Sequence, residues 1–349
     1  MRPAWLTARP PVNDRRRLLM SLAALMAAGC AACASQAPQL ASIQSRGYLL
    51  CGVEAGVAGF AEVDATGRYA GLDVDVCRAV AAAIFRQSDR VQFIEASSAD
   101  DLLHRKSADI VSRRLTWSLT REGLGLLFGP VIFYDGQGFM VAKRLHVNSV
   151  RQLGGIEICV QAGTPFESQL TAYFSASGLE LRKILIVSAD DPARALASGR
   201  CLAYTADVSA LGALRSDLPN RDDFDILTDQ VSKEPLAPVV RHGDDQWDDI
   251  VRWVVYALID AEEKGITSKN VDDKLKSDDP NVKRMLGVTP GMGKALGLDE
   301  KWAYNEIKLV GNYGEIFDRN LGKDTELKFE RGLNDLWTHG GLMYAMPIR

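Results

Sequence analysis

A chain of 349 residues, with 47 % apolar and 25 % charged side chains, is long enough for two lobes of ordinary domain size and has the make-up of a soluble globular protein. Its 41 basic and 45 acidic residues leave a net charge of −4, and no basic block or basic–aromatic stripe marks a nucleic-acid surface. Four histidines (His104, His146, His242, His339) stand singly, and the six cysteines form no CxxC…CxxC array, so neither a metal site nor a cofactor is expected.

The N-terminus differs from the rest. Residues 1–29 carry Arg2, Arg9, Arg15, Arg16 and Arg17 against Asp14 alone, and an apolar run over residues 18–28 follows. A basic segment ahead of a short apolar run reads as an export signal, too short for a membrane span. Small residues then offer two exits. Ala27-Ala28-Gly29-Cys30 reads as a lipoprotein site, cleaved at 29/30 with Cys30 lipidated. Ala32-Cys33-Ala34 fits ordinary cleavage at 34/35. Both stand. No later stretch reaches about 18 consecutive apolar residues, so the mature body is expected to be soluble, tethered at most by its N-terminus.

Beyond a polar tether at 35–40, Gly47-Tyr48-Leu49-Leu50-Cys51-Gly52-Val53 reads as a buried strand, and Asp64-Ala65-Thr66-Gly67-Arg68-Tyr69 as a hairpin turn. Gly71-Leu72-Asp73 leads into a helix with Val76, Val80, Ala83 and Ile84 as its buried stripe, and residues 91–96 form the next strand. An internal echo follows. Ser98-Ala99-Asp100-Asp101 opens a short helix before Ala108-Asp109-Ile110-Val111, and Ser188-Ala189-Asp190-Asp191-Pro192 opens another before Cys201-Leu202-Ala203-Tyr204. Ser or Asp caps each start, Pro192 suits a first turn, and Gly199 suits a helix end. The repeated plan predicts two α/β lobes with helical crossovers. Tyr134-Asp135-Gly136-Gln137-Gly138-Phe139-Met140-Val141 reads as an extended crossing between them. Lys233-Glu234-Pro235-Leu236-Ala237-Pro238-Val239-Val240 reads as the return, because two prolines argue against a central strand. Trp247, Ile250, Val251, Val254, Ala257 and Leu258 then recur at helical spacing, and shorter helices and loops complete the chain. Export permits disulfides. Cys51–Cys77 and Cys159–Cys201 would each fall inside one lobe; buried free thiols are the alternative.

These segments resemble the type II periplasmic solute-binding proteins of polar amino-acid uptake transporters, in particular the branch that serves broad-range L-amino-acid transporters. The likeness runs from about Leu40 to Arg349. It rests on the Tyr134–Val141 string above and on Ser232-Lys233-Glu234-Pro235-Leu236, Gly243-Asp244-Asp245-Gln246-Trp247, Gly311-Asn312-Tyr313-Gly314-Glu315-Ile316-Phe317 and Gly332-Leu333-Asn334 through Trp337. It implies a two-lobed α/β periplasmic-binding-protein type II fold with two hinge crossings. Residues 40–137 would begin lobe 1, 138–235 would form lobe 2, and 236–349 would return to lobe 1 and add a C-terminal helical extension. It implies a periplasmic monomer that binds a small amino acid for a membrane ABC permease.

A closed cleft around a zwitterion must supply a cation for its carboxylate and an anion for its ammonium. The resemblance gives the carboxylate to an Arg five residues after a Thr, here Thr116 and Arg121; a planar guanidinium grips both oxygens. A surface arginine at a helix is the plainer reading. It gives the ammonium to an Asp at a strand end, here Asp207, which otherwise reads as a helix N-cap. Gly163 and Thr164, in Gln161-Ala162-Gly163-Thr164, match the family turn that also reaches the carboxylate; an ordinary glycine turn is the alternative. Trp117 matches the branch. Three positions depart from it: Glu54 replaces a small hydroxyl residue, Arg114 a small or amide residue, and Leu115 a threonine. Glu54 and Arg114 either pair with each other or face the ligand's side chain, and both readings alter specificity; lost amino-acid binding is a third. Two rivals remain: an exported dehydratase on the same fold, with Glu54 as its acid or base, and a sensory module acting with a separate receptor. No catalytic residue is assigned.

Overall fold

The computed structural model describes residues 38–96, 98–187 and 191–349. The export-signal segment with Cys30 and Cys33 lies outside the described residues, as do Ser188, Ala189 and Asp190 of the second echo.

From Gln39 the chain runs α1 (Gln39–Arg46), β1 (Leu49–Val53), a hairpin of β2 (Glu62–Val63) and β3 (Tyr69–Ala70), α2 (Leu72–Phe85), β4 (Val91–Glu95), α3 (Ala99–His104), β5 (Ile110–Val111), α4 (Leu119–Glu122) and β6 (Leu126–Phe128). It continues through β7 (Phe133–Asp135), β8 (Gln137–Ala142), β9 (Glu157–Gln161), α5 (Pro165–Ala176), β10 (Arg182–Ile186), α6 (Asp191–Ala197), β11 (Ala203–Asp207), α7 (Val208–Asp217) and β12 (Phe224–Ile226). Two more strands, β13 (Glu234–Leu236) and β14 (Val239–Arg241), precede the long α8 (Asp245–Glu263). The chain ends in α9 (Val271–Lys274), α10 (Pro280–Met285), α11 (Met292–Leu296), α12 (Trp302–Val310) and α13 (Tyr313–Asn320), followed by irregular chain.

Two five-stranded sheets result, in the orders β4-β1-β5-β14-β6 and β10-β9-β11-β8-β12. The echo read from the sequence is real: β4-α3-β5 lies in the first sheet's lobe and β10-α6-β11 in the second's. In both sheets the parallel strands belong to helical crossovers, which cover the faces of a sheet and bury it on both sides. In the second sheet, Met140, Ala142, Cys159, Tyr204 and Ala206 face one core, while Phe139, Val141, Ile158, Val160 and Ala203 face another. The first lobe's larger core joins β1, α2, α8, α12 and α13. Gly71 explains how α2 starts: its φ is 134°, and a Cβ there would lie 2.1 Å from the Phe60 carbonyl oxygen. Side chains are buried round most of α2, because it packs against β1, α8 and α12 at once. The stripe expected at Val76, Val80, Ala83 and Ile84 is therefore one side of a wider contact. Both expected disulfides form: Cys51–Cys77 ties β1 to α2, and Cys159–Cys201 ties β9 to the approach to β11.

The crossings are placed differently from the sequence reading. Gln137–Ala142 is β8, buried along its length inside the second sheet. The segment shared between the lobes is a two-stranded antiparallel ladder of Phe133–Asp135 with Glu234–Leu236. Pro235 is accommodated there because a two-stranded ladder leaves outer edges that need no donor. Pro238 stands just ahead of β14, so Val239–Arg241 forms an interior strand between β5 and β6 after all.

Candidate functional site

On the first lobe the site is built at strand ends. β1 and β5 run parallel, with Cys51 opposite Ile110 and Gly52 opposite Val111. Their carboxyl ends therefore leave the sheet side by side, the usual position for ligands of open α/β sheets. Glu54 follows β1, and Ser112, Arg113 and Arg114 follow β5. Buried Asp73, in the first turn of α2, accepts from Ser112 Oγ at 2.6 Å. Burial pushes its carboxyl up to about 6 in spite of this donor and the Arg114 charge. Arg114 lies in the left-handed region, φ 53°, at a cost of roughly 1–2 kcal/mol for a residue with a Cβ. Glu54 Oε2 lies 3.2 Å from Arg113 Nη2 and 3.4 Å from Arg114 Nη2. Of the two arrangements open for Glu54 and Arg114, the structure has the pair.

Two residues after Arg114, the Thr–Arg spacing closes into a contact. Arg121 Nη1 donates to the Thr116 carbonyl oxygen at 2.8 Å, while Thr116 Oγ1 donates to Glu234 Oε2 at 2.8 Å. Thr116 forms a β-bridge to Leu236, and the Trp117 N–H donates to the Pro235 carbonyl oxygen, so this segment is stitched to the ladder between the lobes. Trp117 stacks on Phe128, with ring centroids 5.9 Å apart, and its Nε1 donates to Glu122. It is 40 % exposed.

On the second lobe, β11 ends at Asp207, paired with Gln137 of β8. Asp207 holds the N-cap position of α7 but makes no capping bond. The reason lies next door. The Val208 N–H donates to the Gly136 carbonyl oxygen at 3.0 Å and the Ser209 N–H to Asp135 Oδ1 at 3.3 Å. The helix's first donors are thus taken by the ladder, and the Asp207 carboxylate is left over. Its Oδ1 is buried with no hydrogen-bond partner among the described residues. Burial, then the carboxylates of Asp135 and Glu234, push Asp207 up to about 7, against a smaller pull from Arg114. Burial likewise raises Asp135.

The Gly163–Thr164 turn precedes α5, with Gly163 at φ 73°. Its groups are engaged internally: Thr164 Oγ1 donates to the Gln161 carbonyl oxygen at 2.8 Å, and the Gly163 N–H donates to Glu167 Oε2 at 3.1 Å. Buried Gln137 fixes this turn's helix to the sheet through Nε2, which donates to the Phe166 carbonyl oxygen and to Thr205 Oγ1, each at 3.0 Å.

The structure therefore brings Glu54 to Arg114, and Thr116 to Arg121 and Glu234. It places Arg114 and Glu234 within electrostatic reach of Asp207. Gly163 and Thr164 stay in their own turn. Sequence reasoning missed Asp73, Arg113, Asp135 and Glu234. Asp73 reads as a first-turn acid like any other, and Asp135 and Glu234 sat in strings read as crossings and as family signatures, with no ligand role given to either. The charges that act on Asp207 are the carboxylates of Asp135 and Glu234 and the guanidinium of Arg114, while Arg121 is held at Thr116. Among the described residues no group of three or more His, Cys, Asp or Glu is placed to hold a metal ion, and no helix is long and apolar enough to cross a membrane.

Known proteins resemble this chain in sequence and in fold. Residues 49–273 match the family model of bacterial extracellular solute-binding proteins, family 3. The general L-amino acid-binding periplasmic protein AapJ of Rhizobium johnstonii is 46 % identical over 332 residues, covering 94 % of this chain and 97 % of the relative. The glutamate/glutamine/aspartate/asparagine-binding protein BztA of Rhodobacter capsulatus is 44 % identical over 334 residues, covering 95 % and 97 %. Among solved structures, an ABC transporter periplasmic binding protein from Brucella ovis with glutathione bound superposes with a TM-score of 0.80 at 44 % identity, covering 90 % of this chain and all of that one.

Proposed function

The chain belongs to the bacterial extracellular solute-binding proteins of family 3, and on that footing we propose that it captures an L-amino acid, or a small ligand with an amino-acid end, and delivers it to a membrane ABC permease. The observation that carries the reading is Asp207: a carboxylate buried at a strand end, freed from capping by Gly136 and Asp135, with an oxygen awaiting a donor. In this reading Asp207 takes the ligand's ammonium, and Arg121 takes its carboxylate with help from Thr116, Gly163 and Thr164. Trp117 covers the rim. The Gly163 N–H and Thr164 hydroxyl give up their present partners, Glu167 and the Gln161 carbonyl, when the ligand arrives.

Binding is by hinge closure. Residues 40–137 and 236–349 make one lobe and 138–235 the other, and the ladder of Phe133–Asp135 with Glu234–Leu236 absorbs the rotation. No chemistry is performed on the ligand, so Glu54 needs no acid–base role. The protein acts as a periplasmic monomer, exported by residues 1–29 and either released at 34/35 or anchored through Cys30. The glutathione in the Brucella ovis protein extends the ligand class by simple chemistry: the γ-glutamyl end of glutathione carries a free α-ammonium and α-carboxylate.

A thermal-shift screen of the common L-amino acids and glutathione tests this. A ligand at a hundred times its Kd stabilises the folded state by about 2.7 kcal/mol, read as a rise in Tm. A screen in which no amino acid or γ-glutamyl compound raises Tm refutes the proposal.

A further inference from the structure

The Glu54 carboxylate has two partners, and both are groups that would serve a ligand equally well. Arg113 and Arg114 follow β5 on one segment, Glu54 follows β1, and a single oxygen of Glu54 lies within 3.4 Å of both guanidiniums. Those guanidiniums are not surface groups: their side chains are 18 % and 19 % exposed, against 35 % for Glu54. The Nε atoms of both are buried without a partner among the described residues, so each keeps donor capacity that Glu54 does not use. Their placement is also fixed. The Asp73 carboxylate ties down Ser112, two residues before Arg114, and Arg114 itself sits in the left-handed region at φ 53°. Arg114 stands over the Phe60 ring, 5.8 Å from its centroid. Its charge acts on Asp207 and Asp135 as well as on Asp73, which sets Arg114 beside the carboxylates of the proposed ligand site.

We propose that Glu54 is a specificity-determining residue: it occupies the Arg113–Arg114 guanidinium pair as a built-in substitute for a ligand's second carboxylate, and so steers the site from acidic ligands toward uncharged ones. The inference rests on the reading of the cleft as an amino-acid site. An acidic side chain entering it must displace Glu54 and leave that carboxylate without its partners, next to Asp73. An amide side chain of the same shape leaves the cluster intact. Without Glu54 the two guanidiniums form a preformed anion subsite of the bidentate kind that arginine provides.

The test is calorimetric titration with L-glutamate and L-glutamine, and with L-aspartate and L-asparagine, on wild type, Glu54→Gln and Glu54→Ser. Tm reports that each variant folds. In the variants, affinity for the acid relative to its amide rises at least tenfold over wild type. In a background that also carries Arg113→Gln and Arg114→Asn, that rise disappears. Variants that bind both members of a pair with the wild-type ratio, within twofold, overturn this inference and leave the amino-acid site standing. A wild type and variants that bind none of the four overturn the reading of the site, and this inference with it.

Discussion

Asp207 heads a helix whose first N–H groups are already bonded to Gly136 and Asp135, so its charge is held in a place that costs stability until a cation arrives. Its pKa rises from 3.8 to about 7, chiefly through burial, with Asp135 and Glu234 adding to it and Arg114 opposing. For a group raised in this way, the stabilising contribution is present below about pH 3.8 and is lost as pH climbs through about 7. The ligand-free Asp207→Asn protein therefore melts at a higher temperature than wild type at pH 8, and the difference shrinks toward pH 4. Binding follows the opposite course. Below pH 7 an ammonium must displace a proton from Asp207, so wild-type Kd rises by up to about tenfold per pH unit. In Asp207→Asn that dependence flattens, as calorimetry at pH 5.5, 6.5 and 7.5 would register. Arg121→Ala removes charge-assisted bonds of about 1.5–3 kcal/mol each. Amino-acid affinity then falls about tenfold to more than a hundredfold, with an unchanged circular-dichroism spectrum. The ligand roles of Arg121 and Asp207 belong to the proposal; the family resemblance had singled these residues out. Asp135 was not singled out, because its capping of Ser209 crosses between elements far apart in sequence.

Among the elements, the sequence reading succeeded where one face of a helix or a turn residue carries the signal and failed where a strand is buried on both faces. α8 matches its stripe at Trp247, Ile250, Val251, Val254, Ala257 and Leu258. The β2–β3 hairpin turns where Asp64 and Gly67 mark it. β8 looked like a linker because glycines and apolar residues follow one another without alternation, and a doubly covered strand has none to offer. The cysteine pairs came from lobe membership alone, and both bonds exist. They close separations of 26 and 42 residues, for which loop entropy gives roughly 3–4 kcal/mol each. Cys159→Ser with Cys201→Ser is expected to lower Tm and to weaken binding, because that bond anchors the strand ending in Asp207. Unfolding monitored with and without reductant checks it; a Tm insensitive to both treatments would count against a structural role.

For the molecule as a whole, the repeated strand–helix–strand unit was enough to predict two lobes, since each copy supplies parallel strands of one mixed sheet with their helical cover. What the repeat could not disclose is the C-terminal chain. It caps the first lobe through α12 and α13, then reaches the second, where Arg215 Nη2 donates to the Leu327 carbonyl oxygen at 3.1 Å and Phe329 lies against Gly212. It also holds the ladder, since Asn334 pairs with both the N–H and the carbonyl oxygen of Tyr134. Such contacts join parts remote in sequence, and no local pattern encodes them. The central claim is that opposing charges across this hinged pair neutralise the two ends of a zwitterion. Calorimetry on wild type and Asp207→Asn, with the tightest L-amino acid of the thermal-shift screen and its des-amino analogue, tests it most directly. The account predicts that wild type prefers the amino acid by at least about tenfold and that Asp207→Asn loses most of that preference; an undiminished preference in the variant would contradict it.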